Sequence, residues 1–137
     1  MFVGLCPGVL ADTPPPSTIG AERFCLTANQ REDGSLAEVF IHWGKHGTSA
    51  AGLVSTYADA LSVGLQHQVP LTDLIRTGLG LFFLPNGHTD DPEIPRVRSV
   101  ADYIARRLAI DWLAYPDRAA LGVYRCRTHT FGSTYRP

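Results

Sequence analysis

LAEVFIHWGKHGTSAAGLVSTYADALSVGL, running from Leu36 to Leu65, decides the fold. Val39, Ile41 and Trp43 alternate with Phe40 and His42. A period of two carried by β-branched and aromatic residues reads as a half-buried strand. Gly44-Lys45-His46-Gly47 breaks that period, and Thr48 and Ser49 then offer N-cap hydroxyls that open a helix. Leu53, Tyr57, Leu61 and Leu65 recur every four residues with Val54 and Ala58 beside them, the stripe of an amphipathic helix. A strand that ends in a small-residue turn and opens a helix gathers free backbone N–H groups, and here a lysine stands among them. Such a corner can hold an anion. It is also the ordinary way for a chain to turn.

On the N-terminal side, Arg23 to Asn29 alternates Phe24, Leu26 and Ala28 against Cys25, Thr27 and Asn29. Glu32-Asp33-Gly34-Ser35 separates this run from Ala37 to Trp43. Asp-Gly between two alternating runs signals an antiparallel hairpin. Two strands alone are marginal in water, so the helix that follows is their natural cover. Residues 1–18 read as a flexible Pro-rich leader, because Pro14-Pro15-Pro16 excludes helix and central strand.

On the C-terminal side, the helix from about Ser49 to Gln68 must stop before Pro70. Pro70-Leu71-Thr72-Asp73 begins a second, short helix ending at Gly78 or Gly80. Leu79 to Leu84 is an apolar run, either a buried strand or an irregular core segment, and Pro85 to Pro92 is a loop. Val97, Val100, Ala101, Ile104, Leu108 and Trp112 follow helical spacing from about Pro95 to Tyr115. Asp102 and Arg106 would form a surface pair on it, and Pro116 would stop it. Residues 125–137 form an irregular tail. The expected fold class is α+β, an N-terminal antiparallel β-hairpin covered by two to three α-helices, in one domain over residues 19–124.

The 137 residues carry a net charge of −1, which leaves no electrostatic footprint for nucleic acid or a membrane surface. No apolar run is long enough to span a bilayer. MFVGLCPGVLA has no basic residue ahead of its apolar stretch, a poor secretion signal, so a cytoplasmic protein is expected. Cys6, Cys25 and Cys126 are widely spaced and odd in number, which agrees with a reducing compartment.

Lys45, Gly47, Thr48 and Ser49 are the main chemical candidates. A phosphate or nucleotide would sit on the N–H groups of Gly47, Thr48 and Ser49, with Lys45 neutralising its charge. The segment lacks the upstream glycines of a Walker loop, and a plain capped helix is the commoner use of these residues. His42, His46, His67, His88 and His129 are scattered without ligand spacing, so no metal site is expected. Asp90, Asp91 and Glu93 could bind magnesium or act as acid and base; capping of the following helix by Asp91 and Glu93 is preferred. No cysteine sits beside a histidine in an organised motif, and Cys25 reads as a small buried apolar residue. No catalytic residue is assigned. Arg96, Arg98, Arg106 and Arg107 crowd the last helix, where a solvated face is commoner than contact with phosphates or an acidic partner.

Several ordered motifs resemble one family. They are Glu38-Val39-Phe40-Ile41, Lys45-x-Gly47-Thr48-Ser49, Ser62 to Leu71, Phe83-Leu84-Pro85-Asn86-Gly87, Thr89 to Ile94 and Ser99 to Ala109. Together they resemble the C-terminal region, called the TSCPD domain, of class II, adenosylcobalamin-dependent ribonucleotide reductases. The resemblance implies a role in deoxynucleotide synthesis and adenosylcobalamin in the holoenzyme. It gives this chain neither the catalytic α/β barrel nor a paired-cysteine tail, since Cys126 stands alone there. Pro14-Pro15-Pro16-Ser17 occupies the place of the cysteine and aspartate of the domain's signature, and His42-Trp43-Gly44, His46 and Leu84 replace charged or otherwise typical residues.

The expected function is a stand-alone, non-catalytic accessory domain that binds no cofactor by itself. It would dock on the class II catalytic chain or bind nucleotide or phosphate at Lys45, Gly47, Thr48 and Ser49. The alternatives are a repurposed small-ligand module, a structural homo-oligomer formed through the apolar faces of the hairpin and last helix, and a gene fragment.

Overall fold

The structure is a computed structural model that describes residues 2–3, 17–43 and 48–126. Its elements begin with β1 (Phe2–Val3), β2 (Ser17–Ile19), β3 (Glu22–Gln30) and β4 (Leu36–Trp43). β3 is the centre of this antiparallel sheet. β4 runs along one side of it, from Phe24 opposite Trp43 to Asn29 opposite Glu38, with an irregularity at Asn29/Gln30. β2 and β1 share the other side, where Ser17 pairs with Phe24 and Phe2 with Asn29. Both ends of the expected leader therefore belong to the sheet, and Ile19 is fully buried. The rest of the leader and the tail beyond Cys126 lie outside the described residues.

The hairpin turn forms as Asp-Gly predicts. Gly34 takes φ +86°, a left-handed conformation that glycine adopts without a Cβ penalty. The Arg31 N–H donates to Ser35 O at 2.7 Å, and the Ser35 N–H donates to Asp33 Oδ1 at 2.9 Å. On β4, Val39, Ile41 and Trp43 are buried while Phe40 and His42 face outward. The opposed Phe24 and Trp43 rings lie 5.0 Å apart, a cross-strand aromatic pair that adds to simple burial.

α1 (Ser49–Gln66) packs against β4, and α2 (Leu71–Gly78) precedes a segment without regular structure. The buried stripe of α1 is Val54, Ala58, Leu61, Ser62 and Leu65. Leu53, an expected core position, is instead 71% exposed. Ser62 is the polar member of the stripe: its hydroxyl accepts from Val39 N–H and donates to Val39 O, both at 2.8 Å. A helix side chain thus closes the free edge of β4, where unpaired strand groups would otherwise be left.

Beyond α2, β5 (Gly87–His88) and β6 (Arg96–Val97) form a small antiparallel pair. α3 (Val100–Trp112) and α4 (Tyr115–Ala120) complete the described chain. The last long helix thus begins at Val100, not near Pro95. Ser99 is its N-cap and accepts from Asp102 N–H at 3.0 Å. Pro116 does not stop a helix either; it sits in the first turn of α4, where its missing N–H costs nothing. α2 packs on α3 at Gly78, where an added Cβ would stand 2.9 Å from Ala101 O. The core joins Phe24, Val39, Ile75, Ile104 and Leu108, all essentially buried, so the sheet, α1 and α3 share one interior.

Candidate functional site: an apolar groove

Where α1, the segment 81–84 and the start of α3 meet, they enclose a groove of about 350 Å³. Trp43, Val54, Val100 and Ala101 form its floor, being buried lining residues. Leu53, Leu81, Phe83 and Leu84 form its rim. Leu53 is 71%, Leu81 46% and Leu84 80% exposed. Scattered exposed apolar residues need no explanation, but several clustered around one concavity mark an interaction surface. The wall offers little for a polar ligand: the Tyr57 hydroxyl is engaged with Thr77 Oγ1 at 3.0 Å. Burial raises the Tyr57 pKa against the opposing effect of that bond.

Asp102 sets the position of the rim. Its carboxylate is fully buried. Oδ1 accepts from Gly80 N–H at 2.7 Å and from Arg106 Nε at 3.0 Å, and Oδ2 accepts from Arg98 N–H at 3.0 Å. Gly80 itself takes φ +79°. Phe83 N–H donates to Arg98 O at 3.2 Å, and the Arg98 guanidinium lies 5.4 Å from the Phe82 ring centre. One buried carboxylate therefore ties Gly80, at the start of the 81–84 segment, and Arg98, whose C=O holds Phe83, to the first turn of α3. The Asp102–Arg106 pair exists as expected from its spacing, but it is an interior anchor rather than a surface contact.

The acidic loop is structural as well. Asp90 Oδ1 accepts from Thr18 N–H at 2.7 Å, tying the loop to β2. Asp91 and Glu93 do not cap α3. Asp91 Oδ2 takes Arg107 Nη1 at 2.8 Å and the Tyr103 hydroxyl at 2.9 Å. Arg107 Nη2 also reaches Glu93 at 3.1 Å and Asp111 at 2.7 Å. Arg107 is thus no solvated side chain: only 16% of it is exposed. Burial pushes the Asp91 pKa up, but bonds from Arg107, Tyr103 and the Glu93 N–H outweigh it and hold the carboxyl below its usual value.

A carboxyl with a depressed folded pKa stabilises fully above its unfolded value of about 3.9, and that contribution is lost as pH falls through the folded pKa. Near neutrality the Asp91 contribution to thermal stability should accordingly be full and independent of pH, and it should fade as pH drops below about 4. Asp91→Asn should flatten the acid side of the stability profile. An acid limb identical in parent and variant would contradict this role.

Of the residues singled out for anion binding, Lys45 and Gly47 lie outside the described residues. Thr48 is the N-cap of α1, its hydroxyl accepting from Ala51 N–H at 3.2 Å, and Ser49 is exposed in the first turn. Cys25 is buried. Among the described residues, no group of three or more His, Cys, Asp or Glu could hold a metal ion, and no helix is long and apolar enough to cross a membrane.

Residues 10–111 match the TSCPD domain family, and the chain belongs to that family. Its relatives give it a narrower place, that of a domain related to class II ribonucleotide reductases. It is 38% identical over 123 residues to the vitamin B12-dependent ribonucleotide reductase of Streptomyces avermitilis, covering 88% of this chain and 13% of that one. The enzyme of the same name from Streptantibioticus cattleyicolor is also 38% identical over 123 residues, 20% of its length. That from Rhodopirellula baltica is 36% identical over 85 residues, 8% of its length. The chain thus spans a small fraction of the curated relatives it matches. No solved structure matches it.

The relatives' names imply cobalamin, and the groove does not fit it. At about 350 Å³ it lies at the small end of pockets that enclose a drug-sized ligand. Its lining offers a corrin's many amide groups almost nothing to bond.

Proposed function

We propose that this chain is a non-catalytic docking domain of deoxynucleotide synthesis, and that its apolar groove seats on the catalytic part of a B12-dependent ribonucleotide reductase. The observation that carries this reading is the cluster of Leu53, Leu81 and Leu84, exposed around one concavity. The occupant is argued from the relatives. In the Streptomyces avermitilis enzyme the matched segment is 13% of the chain, so a domain of this kind there accompanies a far larger body. A surface that faces such a body is apolar at its centre. The non-catalytic part of the reading is supported by the acidic loop, where Asp90, Asp91 and Glu93 are all held in structural bonds.

The test is calorimetric titration of the chain into a B12-dependent reductase shortened by its own TSCPD segment. Leu53→Asp with Leu84→Asp should weaken binding by roughly ten-fold or more, since each buried large apolar side chain is worth about 1.5–3 kcal/mol. The melting temperature should stay unchanged, because both side chains are largely exposed in the free chain. Equal affinity of parent and double variant would remove the groove from the interface.

Nucleotide or phosphate binding at Lys45, Gly47, Thr48 and Ser49 is the second reading. It is favoured by the first turn of α1, which carries no acidic side chain to offset the helix dipole. Stabilisation by nucleotide without any affinity for the reductase would shift the conclusion to it.

A further inference from the structure

On another face of α3, β6 and residues 124–126 enclose a hollow of about 150 Å³ lined by Arg96, Arg106 and Arg125. We propose that this hollow is a binding site for a phosphate-sized oxyanion. The three guanidinium groups come from three separate parts of the chain: β6, α3 and the segment after α4. Their donors are only partly used. Arg106 gives its Nε to Asp102, and Arg125 gives its Nε to Glu93. The terminal nitrogens of both, and the whole Arg96 side chain, have no partner among the described residues.

The acidic groups nearby are already neutralised. Glu93 lines the hollow, but one oxygen takes Arg107 and the other Arg125. Asp102 is buried behind Arg106. What remains facing the hollow is positive, with Tyr124 and Cys126 on its lining as further polar groups. Guanidinium forks match the spacing of phosphate oxygens and bind them with charge-assisted pairs of bonds. The volume limits the ligand class, because pockets that enclose drug-sized molecules start at about 300 Å³. A phosphate group enters; a nucleoside attached to it would remain outside.

Calorimetry of the full chain with inorganic phosphate, at matched ionic strength in chloride, tests the proposal. Saturable binding is expected, weakened roughly ten-fold or more by Arg96→Ala with Arg125→Ala, as for loss of bonds between charged groups. Arg96→Ala alone should weaken it in the same direction, and that side chain has no structural bond to lose. Lys45→Ala should have no effect, which separates this hollow from the start of α1. Phosphate should also slow alkylation of the exposed Cys126 thiol in the parent and not in the double variant.

A nucleoside diphosphate that binds tighter than phosphate would identify a nucleotide as the source of the group, and equal affinities would identify the phosphate group alone. Phosphate that binds no better than chloride overturns the proposal, as does a double variant that binds like the parent.

Discussion

Asp102→Ala should lower the unfolding free energy by about 3–5 kcal/mol, the range for removing one member of a buried charged pair. The carboxylate is fully buried and holds Gly80 N–H, Arg98 N–H and Arg106 Nε at 2.7–3.0 Å. Its removal leaves two backbone donors without acceptors and a cation without its counter-charge. It also frees Gly80, which leads into the 81–84 segment, and the Arg98 N–H, so the groove rim should loosen together with the fold. Asp102→Asn keeps the volume and one acceptor oxygen, but it turns an NH2 group toward donors that need an acceptor; it should recover only part of the loss. Urea unfolding measures both variants. An alanine variant within about 1 kcal/mol of the parent, the size of an ordinary surface effect, would show that the carboxylate is not an anchor.

Ser62→Ala should cost about 2–4 kcal/mol, because two backbone groups each lose a buried partner worth roughly 1–3 kcal/mol. The substitution removes little volume, so a large loss cannot be assigned to a cavity. The Ser62 hydroxyl bonds both the N–H and the C=O of Val39 at 2.8 Å, and Val39 is fully buried in β4. Water cannot reach those groups while α1 stays docked. Amide exchange at Val39 should therefore accelerate more than at its neighbours in the variant. A loss below about 0.5 kcal/mol, with unchanged exchange, would mean that Val39 finds another partner.

Both residues show where the sequence speaks and where it falls silent. The β3–β4 hairpin, its Asp33-Gly34 turn, the Thr48 cap and the bodies of α1 and α2 follow from local periods and turn chemistry, and they form close to their expected bounds. α3 is different. Val97 fits the helical spacing yet belongs to β6, and both Val97 and Val100 are buried, so apolar period alone draws the helix start too far upstream. The signal that places it correctly is Ser99-x-x-Asp102, a capping pattern in which Ser99 bonds the Asp102 N–H.

The site is harder to read than the fold. Leu53 shares the apolar stripe of α1, and nothing in a helical period tells which of its members the core will cover. Leu79 to Leu84 is apolar enough to be a buried strand, but Leu81 to Leu84 are exposed, and Leu81, Phe83 and Leu84 line the groove. The pairing of Arg107 with Asp91 and Glu93 spans a loop and a helix, a distance that no local pattern bridges. The TSCPD kinship, by contrast, is legible from several motifs in order.

Hydrogen exchange of the chain with and without the shortened B12-dependent reductase tests the docking claim most directly. Docking through the groove should slow exchange in the first two turns of α1 and in residues 79–84, the walls of the groove, with the outer face of α4 unaffected. Binding that leaves those segments exchanging freely, or no binding at all, would contradict it.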